Sequence, residues 1–288
     1  MNYRHIFHAG NFGDVFKHAV LVALVRAMQR KEKGFLFVDT HAGIGTYDLT
    51  SSRAERTAEY VDGIGRLWPR EDLPPAVADY VEQVRAFNAE AGGPAGQVRH
   101  YPGSPMLAAR LMRPQDALAL SELHPDDFIT LRDNFAGWRR VAIQRLDAYT
   151  ALKAYLPPPQ RRALVLIDPP YEDAREVDRL HAGLEAALER FPTGVYAIWY
   201  PIKRMREAIA FRERLQTLPL PAAVTAELTV RSEPADDAPA PLIGSGLALL
   251  NPPWQIEQTL TTILETLRPI LAQDEAARTA LVWLRERT

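Results

Sequence analysis

From Phe35 onward, short apolar runs alternate with amphipathic stretches, and few architectures accommodate that alternation. Residues 35–38, 117–120, 141–144, 164–167 and 195–199 have the length and aliphatic content of buried strands. Residues 105–112, 125–135, 148–155, 176–190 and 203–215 are the helical segments that follow them. A further helix precedes the first strand. Residues 14–30 carry Val15, Val20, Leu21, Leu24, Val25 and Met28 on one face, with Asp14 as the expected N-cap. Strict strand–helix alternation implies a mostly parallel sheet covered by helices on both faces.

The end of the pattern differs. Val224, Ala226, Leu228 and Val230 alternate with more polar neighbours, as in a half-exposed strand. The apolar strand 246–250 follows with no helix between, so an antiparallel hairpin is expected at the sheet edge. Five alternating units closed by a hairpin describe an α/β fold of the Rossmann-like class I methyltransferase kind, with seven strands. Residues 49–97 interrupt it. The stretches 52–65 and 75–91 read as polar helices, broken by Pro and Gly, with no strand among them. The expected organisation is a Rossmann-like domain over 1–48 and 98–288, with a helical insertion subdomain over 49–97.

Composition removes several chemistries. The chain has no cysteine, which excludes disulfides, thiol nucleophiles and Cys-ligated zinc or iron–sulfur clusters. Its seven histidines are scattered without a His-x-x-x-His pair, so no metal is expected. A net charge of −2 argues against a uniformly cationic surface but leaves room for a local basic face. No apolar run approaches the roughly 18–20 residues needed to cross a bilayer. The N-terminal MNYRHIFHAGNFGD has polar residues where a secretory signal would be apolar, so a cytoplasmic protein without membrane contact is expected.

In such sheets ligands bind beyond the carboxyl ends of the strands. The first strand runs into Asp39-Thr-His-Ala-Gly-Ile-Gly45, where Gly43 and Gly45 allow a sharp turn beside a ligand. The second ends at Glu122, placed to accept both hydroxyls of a ribose. The third leads to Asp147, placed to accept from an adenine amino group, although either carboxylate could simply cap a helix. A dinucleotide site would need a third glycine where Asp48 stands. A ligand with ribose and adenine but no phosphate fits better, and S-adenosylmethionine, with S-adenosylhomocysteine as its product, is that ligand.

The fourth strand ends in Asp168-Pro169-Pro170-Tyr171. The Asp168 carboxylate and the Pro169 carbonyl can each accept one hydrogen of a planar amino group, localising its lone pair for methylation. The prolines set the loop φ angles and remove competing N–H donors. Tyr171 offers a ring for an extruded base. The same pattern recurs as Asn251-Pro252-Pro253-Trp254, but that copy closes the hairpin's last strand. Only Asp168 lies at a catalytic place in the strand order, and Trp254 is expected to pack or to flank the substrate groove.

The stretches YRHIFHAGNFGDVFKH, DTHAGIGTYDL, YPGSP, SELHPDD and LVLIDPPYE, in order along nearly the whole chain, closely resemble the RlmJ family. These are bacterial 23S rRNA adenine-N6 methyltransferases. The resemblance implies a monomer that uses S-adenosylmethionine without metal and modifies a single adenine, adenine 2030, in protein-free 23S rRNA. It implies that Lys17, His18, His41, Ser104, Glu122 and Asp147 line the cofactor pocket, with a backbone contact at Ala148. It gives Asp168 the catalytic role and puts Tyr3 and His5 near the substrate base. For a net-negative protein acting on RNA, the insertion's Arg53, Arg56, Arg66, Arg70 and Arg85 form a candidate RNA platform. The alternatives on this fold are a DNA adenine-N6 methyltransferase and a protein glutamine-N5 methyltransferase. The latter is disfavoured because it would hold its neutral amide with Asn rather than Asp.

Overall fold

The computed structural model describes residues 4–235 and 238–286. Its strands are β1 (Leu36–Asp39), β2 (Thr46–Asp48), β3 (His100–Pro102), β4 (Ala117–Ser121) and β5 (Val141–Gln144), then β6 (Ala163–Ile167), β7 (Val195–Ile202), β8 (Ala223–Thr229), β9 (Gly244–Leu250) and β10 (Arg278–Arg285). Its α-helices are α1 (Phe12–Gln29), α2 (Ser52–Thr57), α3 (Ile64–Leu67), α4 (Pro75–Glu90) and α5 (Ser104–Leu111), then α6 (Pro125–Asn134), α7 (Ala148–Tyr155), α8 (Glu176–Arg190), α9 (Met205–Gln216) and α10 (Ile256–Leu271).

Eight strands form one sheet in the order β10-β8-β9-β7-β6-β1-β4-β5. The strands β5, β4, β1, β6 and β7 are parallel, and β9 runs antiparallel between β7 and β8. One layer, with α1, α4, α5 and α10, packs against one face; α7, α8 and α9 cover the other. The chain reverses its direction of winding at β1, which lies between β4 and β6, and this opens a crevice at their carboxyl ends.

The seven expected strands are present, and an eighth joins them. Strand β10 pairs antiparallel with β8 from Arg278↔Thr229 to Arg285↔Ala223, so the hairpin is not at the sheet edge. Strand β8 is buried along its whole length rather than half exposed. Val224, Ala226 and Leu228 join the core beneath α10, while the polar face is satisfied from α9 and β7. There Glu227 accepts from Tyr200 Oη at 2.6 Å and pairs with Arg212. A buried carboxylate with two donors carries little of the penalty an orphan would.

The segment 49–97 is helical, as expected, but β2 and β3 pair as a short ribbon where it leaves and rejoins the domain. Ile64, Leu67, Val77 and Tyr80 from this segment share one core with α1 and α10. Helix α1 begins three residues earlier than the expected cap at Asp14 implies. Asn11 is its N-cap, accepting from Asp14 N at 2.9 Å, which frees the Asp14 carboxylate for the interior.

Strand direction separates the two Pro-Pro copies. Because β9 is antiparallel to β7, Asn251 emerges at the end of the sheet where the parallel strands begin. Its amide Nδ2 donates to Gly194 O at 2.9 Å and to Pro192 O. Trp254 is 68% exposed, and its carbonyl accepts from Arg30 Nη1 at 3.1 Å. It therefore does not flank the substrate groove.

Candidate active site

A cavity of about 910 Å³ lies at the carboxyl ends of β1, β4, β5 and β6. All eight residues expected to hold the cofactor line it. Lys17 and His18 come from α1, His41 and Gly43 from the turn after β1, and Ser104 from the start of α5. Glu122 follows β4, while Asp147 and Ala148 follow β5. At Gly43 the backbone has φ +58°, and a Cβ would lie 2.5 Å from Tyr47 Oη, so only glycine leaves the cradle as it is. Gly43 N donates to Glu122 Oε2 at 2.9 Å, and His124 N donates to Oε1 at 2.8 Å. Burial pushes the Glu122 carboxyl up against the pull of these two donors.

A second, open cleft of about 1400 Å³ lies beside this cavity and includes Asp168, Tyr171, Glu172, Trp199 and Lys203 in its walls. The two spaces share His5, Lys17, Asp168 and Pro170. Asp168 thus stands at the one place where contents of both could meet. Pro169 is buried behind the loop, and Pro170 is the proline that faces the two spaces. Tyr171 has a left-handed backbone, φ 51°, rare for a bulky residue and a mark of stored strain. That turn sets its ring 6.0 Å from the Trp199 ring and lets its hydroxyl donate to Trp199 O at 2.7 Å. Tyr3 lies outside the described residues.

Beneath the junction runs a buried chain of charges. The Asp14 carboxylate accepts from Gly10 N at 3.0 Å, lies 2.8 Å from His5 Nε2, and takes Lys17 Nζ at 2.8 Å. Lys17 Nζ also holds Asp168 Oδ2 at 2.5 Å and lies 5.9 Å from the centre of the Trp199 ring. Burial pushes Asp14 up, but His5 and Lys17 outweigh it and hold the carboxyl well below the usual range. Burial likewise opposes the Lys17 charge, and Asp14 and Asp168 together raise it above the ordinary lysine value. His18 is the neutral neighbour. Burial lowers it to about 3, and its Nδ1 lies 2.7 Å from Tyr101 Oη.

Asp39, at the end of β1, is fully buried beside this chain. Ser104 Oγ donates to its Oδ2 at 2.7 Å and His41 N to its Oδ1 at 3.1 Å. Burial outweighs both and raises its pKa from 3.8 to about 7. His41 is lowered to about 4 by burial, and its Nδ1 accepts from Asp168 N at 3.4 Å. A carboxyl raised on folding gives stability that is complete below its unfolded value and is lost as pH rises through its folded value. Wild-type melting temperature should therefore fall between about pH 4 and pH 7 relative to Asp39→Asn, as scanning calorimetry can measure; parallel profiles would show that Asp39 is ionised throughout.

The far wall of the cavity carries a group that motif reading did not find. Asp147 caps α7, its Oδ1 accepting from Tyr149 N at 3.1 Å and Thr150 N at 3.3 Å, so cap and cavity wall are one residue. Its Oδ2 pairs with Arg179, which also reaches Glu176 at 3.3 Å and lies 5.2 Å from the centre of the Tyr149 ring. Glu176 and Arg179 belong to α8, and their spacing on an amphipathic helix looks like any solvated ion pair. Asp14 was hidden for a similar reason, since its position near a helix start suggested a cap.

The insertion's arginines divide. Arg66 donates to Ala272 O at 2.7 Å, Arg85 donates to Trp68 O and Arg70 O at 2.7 Å, and Arg70 pairs with Asp72 at 3.1 Å. Arg85 ties the insertion's own backbone, Arg66 ties the insertion to the chain after α10, and Arg70 pairs at the surface. Arg53 and Arg56 are exposed on α2 and have no partner among the described residues. Of the five arginines of the expected platform, these two are the ones without a partner among the described residues.

A parallel sheet with an antiparallel finish, an acid after each of β4 and β5, and Asp-Pro-Pro-Tyr after β6 define a class I methyltransferase. Residues 32–285 match the family described as "Ribosomal RNA large subunit methyltransferase D, RlmJ". The chain belongs to the RlmJ family. It is 39% identical over 284 residues to Ribosomal RNA large subunit methyltransferase J of Escherichia coli K12, covering 99% of each. It is 40% identical over 284 residues to the protein of the same name from Haemophilus influenzae, again covering 99% of each. A crystal structure of a Legionella pneumophila protein superposes with a TM-score of 0.86 at 31% identity, covering 96% of this chain and 98% of that one. Among the described residues no helix is long and apolar enough to cross a membrane.

Proposed function

We propose that this protein methylates the exocyclic N6 of a single adenine in protein-free 23S rRNA, adenine 2030 by family resemblance, as a cytoplasmic monomer using S-adenosylmethionine. The observation that carries this reading is the meeting of the cofactor cavity and the second cleft at Asp168. The cavity residues fit the cofactor. Glu122, its carboxylate oriented by two backbone donors, suits the ribose hydroxyls, and Asp147 suits the adenine amine. Bound there, S-adenosylmethionine supplies an electrophilic methyl group on a sulfonium, and no metal is called for.

The remaining chemistry belongs to the chain. Lys17 occupies Asp168 Oδ2, which leaves Oδ1 to accept one hydrogen of the substrate amine. The carbonyl of Pro169, whose ring is buried, would take the other, which would turn the nitrogen lone pair towards the methyl group. With the cofactor bound, in-line transfer would form the N6–C bond as the S–C bond breaks, and Asp168 would take the N6 proton. Methyl transfer needs alignment above all, and the fixed Lys17–Asp168 pair provides it. Tyr171 and Trp199 give the extruded base an aromatic wall, and His5, tied to Asp14, also lines the cleft.

Protein-free 23S rRNA, duplex DNA and bulk protein, each incubated with labelled S-adenosylmethionine, test the reading. Label should enter rRNA as N6-methyladenosine; label in DNA or protein instead would favour the adenine-N6 DNA or glutamine-N5 alternatives. Helix α2 packs beside the 5–7 segment, near the cleft, so Arg53 and Arg56 are the proposed phosphate contacts. The Arg53→Ala, Arg56→Ala double variant should weaken rRNA binding and lower the slope of log K against log salt by about two. An unchanged slope in filter binding would remove α2 from the RNA interface.

A further inference from the structure

A third hollow, of about 810 Å³, has Tyr171 of the Asp-Pro-Pro-Tyr loop in its wall. Its walls are mainly apolar and include Val177, Tyr200, Ala210 and Phe211. None of its residues lines the cofactor cavity, but Tyr171, Pro201 and Lys203 line both it and the open cleft. Tyr171 is the partition. Its hydroxyl is anchored on Trp199 O, its ring meets Phe211 edge-on at 6.5 Å, and Phe211 stacks on Tyr200 at 4.4 Å. Lys203 is exposed on the shared rim and has no hydrogen bond or ion pair among the described residues.

Resting on the RNA substrate proposed above, we propose that this groove binds the nucleotide adjoining the target adenine: its base on the apolar floor, the connecting phosphate at Lys203. Turning a base out of a strand leaves its neighbour with one unstacked face. Proteins that handle single-stranded RNA cover such faces with aromatic or apolar side chains and track the backbone with cations. The groove supplies both, and it is continuous with the cleft that receives the target. Neighbouring bases in one strand lie close together, so a hollow that shares Tyr171, Pro201 and Lys203 with the cleft is within their reach. Glu207, on the same wall, can accept from a base amino group and gives the subsite a means of choosing among bases.

Two variants test this without touching the reaction centre. Ala210 is exposed on α9 and lines the groove but not the cleft, so Ala210→Trp fills the hollow. Lys203→Ala removes the cation. With labelled S-adenosylmethionine and protein-free 23S rRNA, Ala210→Trp should raise KM for RNA about tenfold, the scale of one lost base-stacking contact. Lys203→Ala should raise it severalfold and lower the salt slope by about one. Cofactor affinity, measured by calorimetry, should stay at the wild-type value in both. Wild-type KM for RNA in both variants, with the wild type active, would overturn the subsite and leave the function standing. Weakened cofactor binding by Ala210→Trp would also overturn it. Wild-type protein that methylates no rRNA would overturn both.

Discussion

Asp168→Ala protein should bind S-adenosylmethionine and transfer methyl to 23S rRNA about a thousandfold more slowly than wild type, within the range that one positioned acceptor supplies. The cavity walls contributed by Glu122, Asp147 and Gly43 do not depend on Asp168, which is why binding should survive. Asp168→Asn is the sharper probe. It keeps an acceptor oxygen but gives Lys17 a neutral partner, and its amide can present a donor to the amine that must be held by acceptors. It should fall close to the alanine variant. Single-turnover transfer with labelled cofactor separates these outcomes from slow product release, and an Asp168→Ala protein with wild-type transfer would refute the assignment.

Asp14→Ala should have the second large effect, on stability as well as rate. Removing this carboxylate orphans Gly10 N, lets go of His5 and leaves a buried ammonium with one counter-charge in place of two. Breaking a buried pair by deleting one partner costs about 3–5 kcal/mol, and urea unfolding at pH 7 should show a loss of this order. The pH dependence gives an independent check. A carboxyl held low on folding contributes stability that is complete above its unfolded pKa, about 3.9, and is lost as pH falls through the folded value. Wild-type stability should thus drop steeply below about pH 4, and Asp14→Asn should flatten that drop. If the variant kept the full acid dependence, the stabilisation of ionised Asp14 would have to be assigned elsewhere. A rise in KM for RNA together with a lower kcat, from loosened His5 and Lys17, would mark Asp14 as a positioning residue.

Those two residues also show what local sequence can and cannot disclose. Asp168 was legible because its chemistry is written in adjacent residues: a strand, an acid, two prolines and a ring. The parallel strands were legible because burial on both faces demands unbroken aliphatic runs. Asp14 was not, because its partners are Gly10, His5, Lys17 and, through Lys17, a carboxylate 151 residues away. Nothing within one helical turn distinguishes a cap from a buried anchor. Arg179 was hidden in the same way, its pairing with Asp147 spanning 32 residues.

The misread strands have a related cause. In β8 the polar residues suggested solvent, yet Glu227 is neutralised by Arg212 from a helix that a strand pattern cannot foresee. Strand β10 has no fully buried position along its eight residues, and its pairing with β8 gives it form. The second Asn-Pro-Pro-aromatic stretch has the same local pattern as the first. Only the antiparallel direction of β9 sends it to the opposite end of the sheet.

Strand β10 has one more consequence, which concerns synthesis. It follows all seven other strands of its sheet in the chain, yet it is the strand that seals β8. While the protein is being made, β8 leaves the ribosome some fifty residues before its outer neighbour and shows an unpaired row of N–H and C=O groups meanwhile. Such an edge recruits any strand it meets. For this chain the interval between β8 and β10 is the period of greatest risk of aggregation, and α10, which lies between them and packs against β8, is the element available to shorten it.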